Sequence, residues 1–440
     1  MIAMEWCRVP RGAVIMNDAG PERILDAQGI LAEFIRTRNL TTELCAPLHR
    51  DDYMVQATRD TSPPKWHLGH TTWFFEKFIL RQFSRNYRPF DEKFDYIFNS
   101  YYETVGEFVP KPSRSTISRP SLESVLDYRK QVEESMAELL NEQGDNLEAL
   151  KRAELGINHE QQHQELLLMD IKRNFYQSPY RPAYAKGRKP VSAGRGEDFI
   201  SFNEQTAQIG FQGKGFAFDN EMPAHRELVP PFSISSRPVT NGDFVAFIED
   251  GGYRKPQFWL SSGWEWRLEN QAAMPLYWEM ENGNYRHFTF YGMQDLDLNE
   301  PAMHISYYEA DAYARWAGAK LPTEPQWEVS VGSQGWNEEN WLETGYFAPF
   351  SGKETSGITG IGNAWEWTLS AYLPYPGFRP IEGSLGEYNG KFMSGQMVLK
   401  GASFCTPKGH SRISYRNFYA PGSRWQFSGM RLSRDGPDGQ

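Results

Sequence analysis

Residues 147–175 read LEALKRAELGINHEQQHQELLLMDIKRNF, and this stretch decides the fold of the first half of the chain. The sequence predicts one long helix here, from about Leu147 to Phe175. His159 and His163 are four residues apart, so on a helix they lie on one face, one turn from each other. That spacing lets both imidazoles bind one metal ion, although two histidines on a polar surface turn would show the same spacing.

Three earlier stretches have apolar residues at helical spacing. They cover Arg23–Arg38, then Trp66 to about Arg81 after two prolines, and a third that starts after Pro120 and runs through Leu140. Proline near a helix start is favoured because its missing N–H is not needed there. Together with the long helix, these stretches predict an up-and-down four-helix bundle in residues 1–180, and the centre of such a bundle is a common place for a metal site.

The composition of the chain changes after the predicted bundle. The stretch Tyr176–Gly196 is rich in proline and glycine, which predicts a linker at residues 181–200. Residues 201–440 contain short alternating runs separated by Gly, Asn and Pro, and only two helices stand out, Asn241–Asp250 and Ser306–Gly318. The whole chain is therefore predicted to be α+β, with a helical first domain and a loop-rich mixed second domain.

Charge and cysteine content limit the partners. The 440 residues carry a formal net charge of −10 and no basic run, so we expect neither nucleic acid nor an anionic membrane as a partner. No stretch approaches about 18 continuous apolar residues, and Met1–Met16 does not resemble a signal peptide. Cys7, Cys45 and Cys405 form no CxxC pair, which argues against a disulfide framework and favours a reducing, cytoplasmic compartment.

A third metal ligand is available upstream, in KWHLGHTTWFFE at residues 65–76. A histidine among apolar residues is more often a satisfied core group, but a bundle helix with two histidines changes that balance. His70 from one helix and the pair His159 and His163 from another would build a three-nitrogen site. Its opposite face would stay open for substrates and oxygen, as in non-heme iron centres.

Two other interpretations remain open at this point. The run HEQQH at residues 159–163 also fits the HExxH signature of zinc peptidases, with Glu160 as general base. The third ligand of such peptidases normally follows the helix, but the next histidines here, His225 and His287, lie beyond the predicted linker. The remaining alternative is a non-catalytic or hydrolytic metal protein whose second domain is a binding module.

Several motifs resemble one known family. SPPKWHLGHTTWFFE at residues 62–76, NSYYE at 99–103 and HEQQH at 159–163 resemble the sulfoxide synthases of ergothioneine biosynthesis. In the second half, GGY, WAG, LPTE, GNAWEW and GMRL, beginning at residues 251, 316, 321, 362 and 429, resemble the formylglycine-generating-enzyme fold. The resemblance covers nearly the whole chain from about residue 25. It implies a DinB-like bundle followed by a C-type-lectin-like, formylglycine-generating-enzyme-like α+β domain.

The resemblance also implies an activity and a set of site residues. The activity is the iron(II)- and O2-dependent joining of a sulfur donor to hercynine, the Nα-trimethyl betaine of histidine. The implied iron ligands are His70, His159 and His163. Residues implied to contact hercynine are Gln162, Asn417, Phe418 and Tyr419, whose rings suit a trimethylammonium group through cation–π attraction. Candidates for proton or electron donation during oxygen reduction are Tyr101 and Tyr102. If their segment is helical, one faces the iron and the other packs.

The sulfur or selenium donor stays undecided. Family members that use free cysteine hold its carboxylate with arginines just before the Tyr-Tyr pair, but residues 94–98 contain no cation. The nearest cations are Arg85, Arg88, Lys93, Lys111 and Arg114. A carboxylate normally calls for an Arg fork. The donor could therefore be cysteine or γ-glutamylcysteine, or the neutral selenosugar of the related selenoneine synthases.

Overall fold

A computed structural model describes residues 26–142, 144–187, 189, 192, 196–334, 340–350 and 357–436. The start of the predicted first helix at Arg23, as well as Cys7, Pro190 and Gly194, lies outside these residues. Cys45 and Cys405 are buried free thiols. Within the described ranges, no helix is both long and apolar enough to cross a membrane.

The first part of the chain is helical, as the sequence predicts. Its helices are α1 (Ala27–Cys45), α2 (Pro64–Phe75), α3 (Arg81–Phe83), α4 (Phe94–Ile97), α5 (Leu122–Glu142) and α6 (Leu147–Gln177). Asp26 caps α1 by accepting from the backbone N–H groups of Gln28 and Gly29, and Asn146 caps α6 by accepting from that of Ala149.

The prediction of one continuous helix from Trp66 to Arg81 is wrong in its second half. A π-helical turn, Glu76–Leu80, separates α2 from α3. Glu76 is fully buried there, and its carboxylate accepts from Arg81, Tyr87 and Tyr128. These three donors satisfy the buried carboxylate at the point where the helix widens into the π turn. Such π turns are frequent near functional sites.

Close packing brings α2 and α6 together at the level of the histidines. Gly156 of α6 faces the ring of Phe75, and a Cβ built on Gly156 would lie 2.6 Å from a ring carbon. Gly69 likewise faces Phe98, at 2.1 Å from such a Cβ. A side chain at Gly156 would force α6 away from α2, so this glycine sets the distance between His70 and the HxxxH pair, whereas Gly69 lets Phe98 pack closely against α2.

The second part of the chain mixes helices and short strands, which confirms the α+β prediction. Its helices are α7 (Asn241–Glu249), α8 (Ser261–Glu269), α9 (Tyr307–Trp316) and α10 (Glu324–Gln334). The prediction that only two helices stand out missed α8 and α10. In α8 only Gly263 is buried, so there is no apolar stripe to recognise. In α10 the pattern is short and contains Pro325 and Gly332.

Four small sheets form the rest of this part. The strands are β1 (Phe199–Phe202), β2 (Gln205–Ile209), β3 (His225–Val229), β4 (Phe232–Ser235), β5 (Trp278–Glu281), β6 (Asn284–Thr289), β7 (Gly292–Asp295), β8 (Trp365–Ala371), β9 (Met397–Gly401), β10 (Asn417–Tyr419), β11 (Ser428–Gly429) and β12 (Ser433–Asp435). Their orders are β1-β4-β12, β2-β3, β5-β6-β7 and β10-β9-β8-β11. All neighbours are antiparallel except β11 and β8. Because β1 begins inside the predicted linker 181–200, we propose a domain boundary between Gln177 and Phe199.

The two parts are held together through α6. Glu165 of α6 is buried, and its carboxylate accepts hydrogen bonds from three residues of the second part. The donors are Trp365 Nε1 at 2.7 Å, Ser403 Oγ at 2.8 Å and Thr406 Oγ1 at 2.8 Å. The helix that carries the HxxxH pair is therefore fixed against β8 and the loop after β9.

Candidate metal centre and substrate cavity

Three histidines converge where α2 meets α6. His70 lies on α2, and His159 and His163 lie one turn apart on α6. One ring nitrogen from each of the three lies within 4.8 Å of the others, and the Nε2 atoms of His70 and His159 are 3.1 Å apart. The structure thus brings together the three residues that the sequence and the resemblance single out.

The ring of His70 is held in place by a hydrogen bond at one nitrogen and by stacking on Trp66. Its Nδ1 donates to the carbonyl oxygen of Phe98 at 2.6 Å, which leaves Nε2 with a free lone pair. Trp66 stacks on the His70 ring with centroids 4.5 Å apart and an interplanar angle of 11°. The Arg114 guanidinium carbon lies 3.3 Å from the centroid of Trp66. The ring of His70 therefore presents Nε2 towards His159 with little freedom to turn.

The electrostatics of the cluster suit a metal ion. Burial lowers the pKa of His159 to about 3, and burial also lowers the pKa values of His70 and His163 well below the ordinary value. All three imidazoles are therefore neutral at neutral pH, with lone pairs available. Two nitrogens that each lie about 2.1 Å from one ion at roughly a right angle are about 3 Å apart. The His70–His159 separation matches that geometry, so the cluster fits a divalent transition-metal ion.

Glu160, the general base in the peptidase interpretation, is held by other groups. Its carboxylate accepts from Arg38 Nη1 at 2.9 Å, from Arg129 Nη2 at 3.1 Å and from Thr41 Oγ1 at 2.8 Å. Burial alone would raise its pKa, but the two guanidiniums lower it to about 2. A carboxylate fixed in this way is a structural ion-pair partner and a poor proton acceptor, so the geometry does not favour a peptidase.

A cavity of about 560 Å³ opens onto the histidines between the two parts of the chain. From the helical part it is lined by Tyr101, His159, Gln162 and His163, and from the mixed part by Asn417, Phe418 and Tyr419. His70 and Tyr102 are not among its lining residues. Seven of the nine residues predicted for the site therefore surround one space, and His70 reaches the cluster from behind it.

The comparisons with known proteins agree with this architecture. Residues 33–169 match the DinB superfamily model, and residues 191–436 match the model of the sulfatase-modifying factor enzyme 1-like domain. The hercynine oxygenase of Mycolicibacterium smegmatis is 31% identical over 315 residues, which cover 64% of this chain and 72% of that protein. The chain belongs to the hercynine oxygenase family. The predicted resemblance is thereby confirmed.

Two further relatives define the extent of the match. The hercynine oxygenase of Mycobacterium tuberculosis is 36% identical over 244 residues, which cover 50% of this chain and 56% of that protein. The ergothioneine biosynthesis protein 1 of Schizosaccharomyces pombe is 29% identical over 254 residues, 54% of this chain and 29% of that one. The chain spans about half the length of the first mycobacterial relatives that it matches, 56% and 54%.

In this member of the hercynine oxygenase family, Tyr101 and Tyr102 have different surroundings. Their segment is a turn, not a helix. Tyr101 lines the cavity, whereas Tyr102 is fully buried and packs on Trp73 and Phe78, with ring centroids 5.8 and 5.0 Å away. Of the two, Tyr101 is the one that lines the cavity next to Gln162 and the histidines.

A third tyrosine, Tyr388, was missed from the sequence. It follows a short 3₁₀ turn, Gly383–Glu387, and its ring meets the His159 ring edge-on with centroids 5.6 Å apart. Its hydroxyl donates to Gln162 Oε1, and Gln162 Nε2 donates to Tyr415 Oη at 2.6 Å. Burial raises the pKa of Tyr388 well above the ordinary value, so the phenol keeps its proton. No motif marks this loop residue.

The residues predicted to contact hercynine, Asn417, Phe418 and Tyr419, lie on β10, which pairs with β9. Phe418 stacks on Tyr372 with centroids 4.0 Å apart, and Tyr419 packs edge-on against Trp425 at 5.5 Å. All three β10 residues are partly exposed to the cavity. The strand therefore presents an aromatic wall opposite the histidine cluster.

Three cations line the same cavity. Arg416 is paired with Glu324, whereas Lys111 and Arg114 come shortly after the Tyr-Tyr pair. Lys111 is exposed and lies 5.6 Å from the Trp425 ring centroid, which places it where the cavity opens. Arg114 is buried, which lowers its pKa to about 9, and it donates to Ser62 Oγ at 2.8 Å. Within the part of the chain that the structure describes, neither forms an ion pair. Arg85, Arg88 and Lys93 do not line the cavity.

Proposed function

We propose that the chain is an iron(II)- and O2-dependent sulfoxide synthase that joins a sulfur donor to the imidazole of hercynine. The observation that carries the proposal is the three-histidine cluster at the base of a cavity to which both domains contribute. Relatives named hercynine oxygenase and ergothioneine biosynthesis protein 1 support the choice of substrate. A pocket at a domain interface with a few convergent polar groups is a common form of active site.

In this proposal His70, His159 and His163 hold the iron. When bound, iron(II) supplies the activation of O2 at a face not occupied by protein nitrogens. The neutral imidazoles leave the positive charge of the ion uncompensated, so an anionic thiolate is attracted to the same place. The protein contributes the fixed ring positions described above and a cavity large enough for two small substrates.

Gln162 and the β10 wall would orient hercynine. Tyr388 and Tyr415 fix the amide of Gln162, whose oxygen has a second lone pair and whose nitrogen has a second proton for an imidazole ring. Phe418, Tyr419 and the neighbouring Trp425 offer ring faces to a trimethylammonium group. The imidazole of the substrate would thus point at the cluster and its quaternary ammonium group at the second domain.

Lys111 and Arg114 favour an anionic donor over a neutral one. A buried guanidinium without a carboxylate partner is costly, and a substrate carboxylate would satisfy it. We therefore propose cysteine or γ-glutamylcysteine as the donor, in preference to a neutral selenosugar.

A product assay tests the proposed function. Iron-loaded protein is incubated with hercynine and, in parallel, with cysteine, γ-glutamylcysteine or a selenosugar, and oxygen uptake and product mass are recorded. We expect hercynine-dependent oxygen uptake and a hercynine–thiol sulfoxide with one of the two thiols. Zinc-dependent peptide cleavage, or oxygen uptake that does not depend on hercynine, would contradict the proposal.

Removing Lys111 or Arg114 is expected to weaken the binding of the sulfur donor but not that of hercynine. In Lys111→Gln and Arg114→Gln, the KM of the thiol donor should rise about 10-fold or more, since a hydrogen bond to a charged group contributes about 1.5–3 kcal/mol. The KM of hercynine should change little. Lys93→Gln, an exposed cation outside the cavity, is the matched control. An unchanged donor KM in both variants would show that the carboxylate binds elsewhere.

A further inference from the structure

Two residues outside the histidine cluster form a hydrogen-bonded chain to one of its members. His67 Nδ1 lies 2.9 Å from His163 Nδ1, and His67 Nε2 lies 3.0 Å from Asp170 Oδ2. His67 and Asp170 are each 3% exposed. The structure assigns Asp170 and His67 to a relay that sets the tautomer of His163, and we propose both as positioning residues for the metal ligand. The inference rests on the metal site of the proposed function.

The direction of the hydrogen bonds follows from the carboxylate. A carboxylate only accepts, so His67 must carry its proton on Nε2, where it meets Asp170. The Nδ1 atom of a neutral His67 is then an acceptor, and the proton between the two rings belongs to His163 Nδ1. His163 is left with a lone pair on Nε2, the form in which a histidine binds a metal ion through that atom.

The carboxylate at the end of the relay is itself fixed. Asp170 Oδ2 also accepts from the backbone N–H of Ser62 at 2.7 Å, just before α2 begins. Asp170 is seven residues after His163 on α6, which is about two helical turns and the same face. His67 is three residues before His70 on α2. The relay therefore links α2 and α6, the two helices that supply the proposed ligands, through residues that lie next to the cluster.

The three cluster histidines differ in what holds their outer nitrogen. His70 donates Nδ1 to a backbone carbonyl, and His163 donates it to the relay. Nδ1 of His159 finds no hydrogen-bond partner among the described residues. A hydrogen bond from the outer nitrogen towards a carboxylate raises the basicity of the ligand nitrogen and fixes the ring. The relay thus strengthens His163 in particular as a metal ligand.

The other role for His67, that of a fourth ligand, does not fit. Both of its ring nitrogens already have partners, and it is not part of the group of nitrogens that lie within 4.8 Å of one another. A purely packing role would not need the carboxylate, since burying a carboxylate with an imidazole and one backbone N–H carries a desolvation cost.

Metal affinity and histidine tautomer together test the relay in the whole 440-residue chain. Asp170→Asn removes the charge at constant shape, and His67→Phe removes both hydrogen bonds but keeps a ring. Co(II) affinity is measured by competition with a chromophoric chelator, starting from metal-free protein. The His163 tautomer is read from ¹⁵N-histidine NMR of the metal-free protein. We expect Co(II) affinity to fall about 10–100-fold in both variants, and the His163 Nδ1–H signal to be lost.

Matched variants separate positioning from general destabilisation. Tyr128→Phe removes a buried hydrogen bond to Glu76 in the same bundle and touches none of the histidines, so its Co(II) affinity should equal that of the wild type. His67→Gln can still donate to Asp170 and accept from His163. It should recover a substantial part of the affinity lost in His67→Phe, and it serves as the test variant if the phenylalanine variant does not fold.

Two outcomes would overturn the relay. The first is wild-type Co(II) affinity in Asp170→Asn together with an unchanged His163 signal, and the second is a His163 proton on Nε2 in the wild-type protein. Neither readout depends on hercynine chemistry. A wild-type protein that binds Co(II) but makes no sulfoxide would therefore contradict the proposed function and leave the relay standing.

Discussion

Replacing His163 with alanine is expected to abolish stable metal binding and product formation. The variant keeps His70 and His159, but two imidazoles from different helices hold a divalent ion far more weakly than three. Even the loss of a hydrogen-bond partner of a ligand costs about 10–100-fold in metal affinity or activity, so the loss of the ligand itself should lower product by at least about 10²-fold. Metal content after desalting and hercynine-dependent oxygen uptake measure the two effects.

Glu160→Gln provides the comparison for His163→Ala. It alters a neighbouring residue of the same helix but leaves the cluster intact, so metal stoichiometry and product formation should stay near wild type. Its free energy of unfolding should fall by about 3–5 kcal/mol, because Arg38 and Arg129 lose a buried anionic partner. Glu138→Gln, an exposed change on α5, should be neutral in both assays. Equal loss of activity in Glu160→Gln and His163→Ala would favour the peptidase interpretation.

The second large effect is expected at Tyr388. The change to phenylalanine keeps the ring against His159 and removes the hydroxyl that donates to Gln162. The hydroxyl of Tyr388 is protonated and its ring lies against His159, so we expect it to serve as a proton donor, and positioned proton transfer is typically worth about 10²–10⁴-fold. Sulfoxide formation should fall by about 10²-fold or more, with a smaller change in the dissociation constant of hercynine and continued oxygen uptake that oxidises the thiol.

Phenylalanine variants of Tyr101 and Tyr102 serve as comparisons for Tyr388→Phe. Tyr101→Phe should lower product to a lesser degree, because Tyr101 lines the cavity but makes no ring contact with the three histidines. Tyr102→Phe should leave the ratio of sulfoxide to oxygen consumed unchanged, because Tyr102 packs on Trp73 and Phe78. If Tyr388→Phe keeps the wild-type product ratio while Tyr101→Phe loses it, the proton donor is Tyr101.

Local patterns in the sequence were sufficient for the long helices of the first part and for the convergence of the three histidines. The i, i+4 spacing of His159 and His163 is a property of one helix, and the aromatic stretch around His70 marks a buried helix that can pack against it. The convergence of the three histidines needed only these two helices to be neighbours. Helices without a buried face, such as α8, left no periodic signal and were missed.

Contacts between distant parts of the chain explain the residues that sequence reasoning missed. Tyr388 reaches Gln162 across 226 positions, and His67 reaches Asp170 across 103. Nothing local distinguishes Tyr388 from the other tyrosines of the chain. The resemblance places carboxylate-binding cations before the Tyr-Tyr pair, but Lys111 and Arg114, which line the cavity, come after it. Such pairings arise from the fold of the connecting loops, which leaves no periodic trace in the sequence.

The three hydrogen bonds that Glu165 accepts limit how the two halves of this architecture can be exchanged. Glu165 lies two residues after His163, so the residue that docks the second domain and the HxxxH pair lie on adjacent turns of the same helix. A chimaera that joins the helical half of one relative to the mixed half of another must transfer Trp365, Ser403 and Thr406 together with Glu165. Otherwise β10 and the three histidines lose their mutual alignment. Recombination between family members should therefore succeed only when these four positions are inherited as a block.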